Sequence, residues 1–283
     1  MKNQLEDSGF AIVELLNQQE VAYLNELCSR FLNQPGSDFI SSSHFLNKND
    51  SDFINTELHR IAGPAFSKLF PGLQLLGGTL ATKIKGKSNL EAHQDWSIVD
   101  ETKFHSYNLW IPLVDTNSGN GTLGMIPGFH HLLNNLRGQN IPNPFEKFTW
   151  KFLDIGYEPG LKAGQAILYD HRLLHYSRPN KTDQKRNTAI LGAKDKEAGL
   201  VVSFLEDENI IATYEVDEAA FYRFDPALVK SSYRLKATDS YQSPQLKWAA
   251  ISDLYNKHVN PQFRRPDSKN SGWLRKMINK FIS

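Results

Sequence analysis

The sequence predicts a mainly β fold, a sandwich or barrel of short strands with flanking α-helices. Between Leu73 and about Gly192, short apolar or alternating runs are separated by turn residues, which is the pattern of strands in such folds. Helical spacing of apolar residues is found before and after this region. With 283 residues, 40% of them hydrophobic, the chain is long enough to bury one large core. We therefore expect one main domain.

The N-terminal part begins with a strand and a helix. The apolar run Gly9 to Leu16 predicts a short strand, and the spacing of apolar residues from Asn17 to Phe31 predicts an amphipathic helix. The next stretch, Asn33 to Ser51, is rich in Ser, Asn, Asp, Pro and Gly, and it predicts a long loop without a buried element. Such a loop could cover a site as a lid.

Strand signals recur along the central and C-terminal parts of the chain. They cover the runs Thr79 to Ile84, Tyr107 to Val114, Thr122 to Ile126, Gln165 to Tyr169, Leu200 to Phe204 and Ile210 to Tyr214. Helical spacing returns from Gln245 to His258. We therefore expect a β core with helices on either side of it in the chain.

The last segment differs from the rest. Pro261 and Pro266 bracket a polar, basic stretch, and a short amphipathic helix is predicted between residues 272 and 283. We therefore place the main domain at residues 1–260 and a basic linker with this C-terminal helix at residues 261–283. Packing of the helix on the domain is favoured, and a weak contact with an anionic membrane surface is the alternative.

Charge and cysteine content exclude several classes of protein. The 32 Lys and Arg residues balance 31 acidic residues, so no strong field would gather nucleic acid, and no nucleic-acid partner is expected. The single cysteine, Cys28, cannot form an internal disulfide, which favours a reducing cytoplasm. No signal peptide or membrane span is predicted. We expect a cytoplasmic protein, peripheral to the inner face of a membrane if its C-terminal helix binds there, and the sequence carries no signal for an oligomeric state.

A histidine and a carboxylate lie two residues apart, at His93 and Asp95. If this segment is extended, both side chains project from one face and can share a metal ion. His175 follows the predicted strand Gln165 to Tyr169, and a sandwich fold could bring it opposite the first pair. Two histidines and one carboxylate form the facial triad that suits non-haem iron(II), although zinc accepts the same ligands. These three residues are our candidate metal ligands and catalytic residues.

Arg186 lies eleven residues after His175, beyond a predicted turn at residues 179–183. The chain can then return as the neighbouring strand, with the guanidinium close to the metal pocket. An arginine matches a carboxylate with two parallel hydrogen bonds, as the distal carboxylate of 2-oxoglutarate requires. Ser177 could add a hydroxyl group to the same carboxylate.

These residues resemble the phytanoyl-CoA dioxygenase family, whose members carry a His-x-Asp pair, a later His and an Arg about eleven positions beyond it. The opening Gly9-Phe-Ala-Ile-Val run and the central segment from Trp110 to His130 are similar to the family as well. The likeness covers about residues 9 to 192. It implies a double-stranded β-helix, that is, a cupin-like jelly roll, with Fe(II) as the metal and 2-oxoglutarate and O2 as cosubstrates. Ascorbate is expected to support such an enzyme in vitro.

Further residues are candidates for the cosubstrate pocket. Lys83, Lys85 and Lys87 alternate on one strand face, where a solvated edge is favoured, and Lys83 is kept as a candidate cosubstrate ligand. Asn108 and Trp110 share a face if their strand is extended, and they could line the pocket beside 2-oxoglutarate. For Trp110, packing in the core is the alternative.

The expected function is oxidation of a small-molecule, acyl or natural-product substrate, most simply hydroxylation of an unactivated C–H bond with release of succinate and CO2. A cupin-like metalloenzyme that does not use 2-oxoglutarate is a rival that Arg186 disfavours. A non-catalytic metal-binding module is a second rival, which the intact candidate ligands disfavour. The third is another outcome at the same iron, such as desaturation, cyclisation or epimerisation. Asp95 argues against a halogenase, since those relatives replace the carboxylate with a small residue.

Overall fold

Antiparallel sheets and flanking helices build the chain in the computed structural model, which describes residues 2–33, 37–133, 135–222 and 225–258. The strands are β1 (Phe10–Glu14), β2 (Phe39–Ser41), β3 (Leu73–Lys83), β4 (Leu90–His93), β5 (Ser106–Pro112), β6 (Leu123–Met125), β7 (Gln165–Asp170), β8 (His175–Ser177), β9 (Arg186–Asp195), β10 (Leu200–Asp207), β11 (Ile210–Val216) and β12 (Arg234–Ser240). The α-helices are α1 (Lys2–Ser8), α2 (Gln18–Phe31), α3 (Ser42–Phe45), α4 (Lys48–Leu69), α5 (Thr149–Ile155), α6 (Glu218–Tyr222), α7 (Pro226–Ser232) and α8 (Trp248–His258).

Two of the sheets enclose a common core. The larger sheet has the strand order β1-β7-β5-β9-β3-β2, and the smaller one has the order β4-β8-β6. Trp110 and Ile167 of the larger sheet belong to the same buried cluster as Met125 and Tyr176 of the smaller sheet. Side chains of a strand alternate between its two faces, so each sheet can give one face to this core. The predicted mainly β fold, a double-stranded β-helix with flanking helices, is confirmed.

Helices α2 and α4 cover the larger sheet. A second buried cluster joins Leu24 of α2 and Leu58 of α4 to Leu109 and Leu191 of the central strands. The side chain of Asn17 accepts hydrogen bonds from the backbone at the start of α2, and Glu20 returns one to the backbone of Asn17. This capping box explains why the helix begins where the sequence predicts it.

The predicted long loop from Asn33 to Ser51 is wrong over residues 37–51. That stretch contains β2, α3 and the start of α4, and β2 pairs with the end of β3. The polar residues that suggested a loop have structural roles here, because Asn47 caps α4 and the Ser42 hydroxyl bonds Thr79. Residues 34–36 lie outside the described part of the chain.

Strands β10, β11 and β12 form a third sheet after the jelly roll. Its core contains Phe204, Ala212 and Val229, the last from α7. The predicted helix Gln245 to His258 is present as α8. The predicted domain boundary and C-terminal helix, residues 261–283, lie outside the described residues. Within the described ranges, no helix combines the length and apolar character needed to cross a membrane.

Candidate functional site

The candidate metal ligands His93, Asp95 and His175 are brought together between strands β4 and β8. His93 and His175 are directly opposite each other in this antiparallel pair. One ligand atom from each of the three residues lies within 4.8 Å of the other two. The His93 Nε2 atom is 3.7 Å from Asp95 Oδ1, and the His175 Nε2 atom is 3.6 Å from Asp95 Oδ2. This arrangement converges on a single point, as a metal ion requires.

Backbone carbonyl groups orient both imidazole rings. The Nδ1 atom of His93 is 2.7 Å from the carbonyl oxygen of Glu91, and that of His175 is 3.0 Å from the carbonyl oxygen of Leu173. A carbonyl oxygen can only accept, so the proton of each neutral ring is on Nδ1. Both Nε2 lone pairs are therefore directed toward Asp95 and available to a metal.

The charge states of Asp95 and His175 suit a cation. Burial would raise the pKa of Asp95, but His175 and His93 hold that pKa well below its usual range. Burial lowers the pKa of His175 to about 4. The site therefore offers a carboxylate and a neutral imidazole near neutral pH. The Asn108 amide donates a 2.8 Å hydrogen bond to Asp95 Oδ2, which fixes the carboxylate.

A cavity of about 110 Å³ is lined by Tyr169, whose ring centre is 4.8 Å from that of the candidate metal ligand His175. Lys83 and Arg186 are paired residues on β3 and β9, and both line it. The Lys83 ammonium donates a 2.9 Å hydrogen bond to the Ser177 hydroxyl, and the Arg186 guanidinium is 5.5 Å from the centre of the Trp110 ring. The complete lining consists of Phe39, Lys83, Ser88, Asn89, Leu90, Trp110, Leu123, Tyr169, Ser177, Arg186 and Ile190.

The cavity contains two buried cations. Burial and the neighbouring Arg186 lower the pKa of Lys83 to about 7, and burial lowers the pKa of Arg186 to about 10. The Arg186 Nε atom is buried and has no hydrogen-bond partner within the described residues. An anion in the cavity would satisfy this donor and favour the charged form of both groups.

The interpretation of the lysine face as a solvated edge is wrong for Lys83. This residue is only 2% exposed, whereas Lys85 and Lys87 are exposed. Strand β2 pairs with β3 at this position, with Phe39 opposite Lys83. Strand β2 therefore covers the edge of β3. It belongs to the stretch that the sequence predicted to be a loop.

Of the other candidate pocket residues, Ser177 and Trp110 line the cavity, whereas Asn108 bonds the candidate metal ligand Asp95. Sequence reasoning missed Tyr169, which also lines the cavity and whose ring centre is 4.8 Å from that of His175. Tyr169 is the register partner of Asn108 on the adjacent strand. Its position could be found from the sequence only by knowing that β5 and β7 are neighbours.

A second cavity, of about 190 Å³, opens beside His93 on the side of Trp96. Its lining is mostly uncharged and comes largely from residues 137–145. The lining residues are His93, Gln94, Trp96, Arg137, Gly138, Gln139, Ile141, Pro142, Asn143, Pro144 and Phe145. His93 thus lines the largely uncharged cavity, while the basic cavity is connected to the candidate ligands through Tyr169.

Solved structures with this fold come from several enzymes. EvdO2 from Micromonospora carbonacea var. aurantiaca, crystallised with 2-oxoglutarate, is 18% identical with a TM-score of 0.52, over 69% of this chain and 89% of its own. The carbocyclase SnoK from nogalamycin biosynthesis is 15% identical with a TM-score of 0.53, over 70% and 84%. HygX from Streptomyces hygroscopicus, bound to nickel, 2-oxoglutarate and hygromycin B, is 16% identical with a TM-score of 0.51, over 70% and 88%. At these identities the likeness concerns the fold.

A family model gives the more specific result. The model described as phytanoyl-CoA dioxygenase matches residues 5–188. A search of curated proteins finds no match. The matched region includes His93, Asp95, His175 and Arg186, the residues on which the sequence resemblance depends. The chain therefore belongs to the phytanoyl-CoA dioxygenase family of Fe(II)- and 2-oxoglutarate-dependent oxygenases.

Proposed function

We propose that this protein uses Fe(II), 2-oxoglutarate and O2 to hydroxylate an unactivated C–H bond of a small-molecule, acyl or natural-product substrate, with release of succinate and CO2. The observation that carries the proposal is the convergence of His93, Asp95 and His175 next to a cavity with two buried cations. Neither feature alone would be sufficient, since zinc accepts the same three ligands and a basic cavity binds many anions. Together they match a metal and a dicarboxylate that act side by side.

The donor set fits Fe(II). Two imidazole Nε2 atoms and one carboxylate on one side of a metal are the facial arrangement of non-haem oxygenases, and they leave positions for other ligands. When bound, the iron supplies the activation of O2 and the oxidation of the substrate. The chain's own contribution is to hold the ligand atoms: the carbonyl groups of Glu91 and Leu173 fix the rings, and Asn108 fixes the Asp95 carboxylate.

The basic cavity fits the far carboxylate of 2-oxoglutarate. Arg186 provides the fork for two parallel hydrogen bonds, Lys83 a second positive charge, and Ser177 a hydroxyl group. The Ser177 hydroxyl already donates to the Gly121 carbonyl at 2.9 Å and accepts from Lys83, so it would hold the ammonium toward the ligand. Trp110 and Tyr169 give the cavity apolar walls, which strengthen these charged contacts by excluding water.

The primary substrate is proposed to enter the cavity beside His93. The charged side chain on its lining, Arg137, bonds acceptors of the chain itself, so an uncharged part of a substrate suits it better than a carboxylate or phosphate. HygX and the epimerase SnoN were crystallised with hygromycin B and nogalamycin RO, respectively. A natural-product scaffold is therefore our leading substrate class for this chain.

A second outcome at the same iron is epimerisation or ring closure. SnoN is an epimerase and SnoK a carbocyclase, and both have this fold at TM-scores of 0.51 and 0.53. Such reactions would use the same metal and cosubstrate sites and differ in how the substrate lies beside His93. A non-catalytic role is disfavoured by the complete ligand set.

The test is succinate formation by the purified protein with Fe(II), ascorbate, 2-oxoglutarate and O2. We expect slow succinate release without a primary substrate, faster release with a true substrate, and no release from Asp95→Ala. Mass spectrometry of the accepted substrate distinguishes hydroxylation, which adds one oxygen atom, from desaturation, cyclisation or epimerisation, which do not. Absence of 2-oxoglutarate binding and of succinate release in the Fe(II)-loaded wild type would refute the proposal.

A further inference from the structure

Hydrogen bonds hold both backbone groups of Asp95. Its N–H group donates to the carbonyl of His171 at 2.9 Å, and its own carbonyl accepts from the Nε atom of Arg137 at 2.6 Å. Strand β4 ends at His93, so Asp95 is not held by the pairing of a sheet. The position of this metal ligand therefore depends on the two bonds, one of which comes from a side chain distant in sequence.

The Arg137 side chain is fully engaged inside the protein. Its Nη2 atom is 2.5 Å from Glu101 Oε1, and its Nη1 atom donates to the carbonyl of Asn135 at 2.7 Å. The Arg137 and Glu101 side chains are only 7% and 8% exposed. Each guanidinium nitrogen thus has an acceptor within the chain. A buried ion pair whose hydrogen bonds are satisfied holds its two side chains in one arrangement. Removing one partner destabilises the folded protein, because the other charge is left buried and unpaired.

Ser97 connects the two segments that carry this ion pair. Its backbone N–H donates to the carbonyl of Arg137 at 3.1 Å, and its hydroxyl accepts from the N–H of Arg137 at 3.3 Å. The same hydroxyl donates to Glu101 Oε2 at 3.3 Å. Residues 95–101 and 135–137 are therefore joined by backbone and side-chain bonds, so a shift of Arg137 would be transmitted to Asp95.

The third sheet holds the segment after Arg137. The Asn140 amide donates to the Leu205 carbonyl at 2.7 Å and accepts from the Leu205 N–H at 2.8 Å, which occupies both backbone groups of one residue of β10. Gly138 approaches the same strand so closely that an added Cβ would lie 1.9 Å from the carbonyl oxygen of Ser203. Strand β10 also bonds the segment after Asp95, through Val201 N–H and the Ile98 carbonyl at 2.9 Å.

We propose that Arg137 is a positioning residue for the metal ligand Asp95, and that β10 holds Arg137 in place through Gly138 and Asn140. The inference rests on the proposed metal site. Residues 200–240 follow the region that the family model matches, so this support is additional to the matched jelly roll. The guanidinium would act on the metal through its bond to the Asp95 backbone carbonyl.

The experiment measures binding of Co(II), an oxygen-stable stand-in for Fe(II), to the full-length protein in the presence of 2-oxoglutarate. The variants are Arg137→Met, Arg137→Lys and Arg178→Met. Arg178 is the matched control, because it too pairs with a buried carboxylate, Glu158, and a backbone carbonyl, that of Leu153. Thermal unfolding of each metal-free protein reports the purely structural cost of the change.

We expect both Met variants to lower the melting temperature, while only Arg137→Met weakens Co(II) binding, by about ten-fold or more. Arg137→Lys should restore part of the affinity, since its ammonium can still donate to the Asp95 carbonyl. A folded Arg137→Met variant with wild-type Co(II) affinity, or an equal loss in Arg178→Met, would overturn the assignment. If wild type itself failed to bind Co(II), the proposed metal site would be at fault instead.

Asn140→Ala tests whether β10 helps to position Asp95. It also serves as the test of the proposal if Arg137→Met does not fold. Asn140 lies outside the ion pair, and the variant loses only the two bonds to Leu205. We expect Co(II) binding to weaken by at least about two-fold, with 2-oxoglutarate still able to enhance it. Wild-type affinity in this variant would show that the sheet does not position Asp95.

Discussion

Lys83 and Arg186 lie opposite each other on strands β3 and β9, and both side chains line the same small cavity. Burial and, after it, the neighbouring guanidinium lower the pKa of Lys83 to about 7. The far carboxylate of 2-oxoglutarate would place an opposite charge beside both groups. Arg186, with a pKa of about 10, stays charged near neutral pH, whereas Lys83 titrates near pH 7, so the two residues should respond differently to pH when cosubstrate binding is measured.

Arg186→Ala should raise the Kd for 2-oxoglutarate in the anaerobic Fe(II) enzyme by about 30- to 150-fold. The loss corresponds to a charged, bidentate contact of about 2 to 3 kcal/mol. Lys85→Ala is the control, since Lys85 is an exposed cation just after β3 and pairs with Asp183 at the surface. Equal affinities of wild type and Arg186→Ala would show that the guanidinium does not bind the cosubstrate.

Binding of 2-oxoglutarate should weaken as pH rises above about 7. The folded pKa of Lys83 is lowered, so above about pH 7 the free protein has lost this proton and must take it up again to pair with the dianion. Below that pH the ammonium is present and the affinity should be flat. Calorimetric titration in two buffers of different protonation enthalpy measures the uptake directly. Lys83→Met should bind more weakly with no such uptake, and an unchanged pH profile in this variant would exclude Lys83 as its source.

Asp95→Ala should abolish metal-dependent succinate formation. The variant loses the one anionic ligand, and two imidazoles alone bind a divalent ion weakly. The affinity of the variant for Fe(II), measured by titration with the metal, should fall together with turnover. Chelation of the wild-type metal should give the same inactive state, and adding Fe(II) back should restore only the wild type. Turnover that survives in Asp95→Ala would place the reaction elsewhere.

Asn108→Ala should reduce metal affinity by about ten-fold without changing the ligands themselves. The amide bonds Asp95 Oδ2, so its loss frees the carboxylate to rotate. Asn25→Ala is the matched control, because the Asn25 amide is also hydrogen-bonded inside the protein, but to the Leu113 carbonyl and the Asn187 side chain and not to a candidate metal ligand. A similar loss in both variants would indicate a general effect on folding.

The candidate metal ligands and Arg186 could be predicted because their spacing along the chain is a local signal. His93 and Asp95 are two residues apart, and Arg186 follows His175 after one turn. The reason given for the first pair was not met, since β4 ends at His93 and Asp95 follows it outside the strand. The fold class could be predicted for a similar reason, since short runs of period two and the capping of α2 at Asn17 are local signals.

The residues that could not be predicted depend on contacts between distant segments. Lys83 was kept as a candidate cosubstrate ligand, but its burial was not predicted, because polar composition concealed β2, the strand that pairs beside it. Tyr169 reaches the site only through the pairing of β7 with β5. Arg137 and Glu101 were not singled out, since charged residues are usually exposed, and nothing in a single sequence shows that these two meet in the interior.

The double hydrogen bond between Asn140 and Leu205 affects how this enzyme could be redesigned. Suppose that a chimaera receives residues 137–145 from a homologue and keeps its own β10. If the new segment lacks Asn140, the backbone N–H and carbonyl groups of Leu205 lose their partner. The loop and β10 are therefore best exchanged as one cassette, with crossover points outside both. Libraries aimed at new substrates should leave Gly138 and Asn140 unchanged. They should vary Gln139 and Ile141, which line the cavity beside His93.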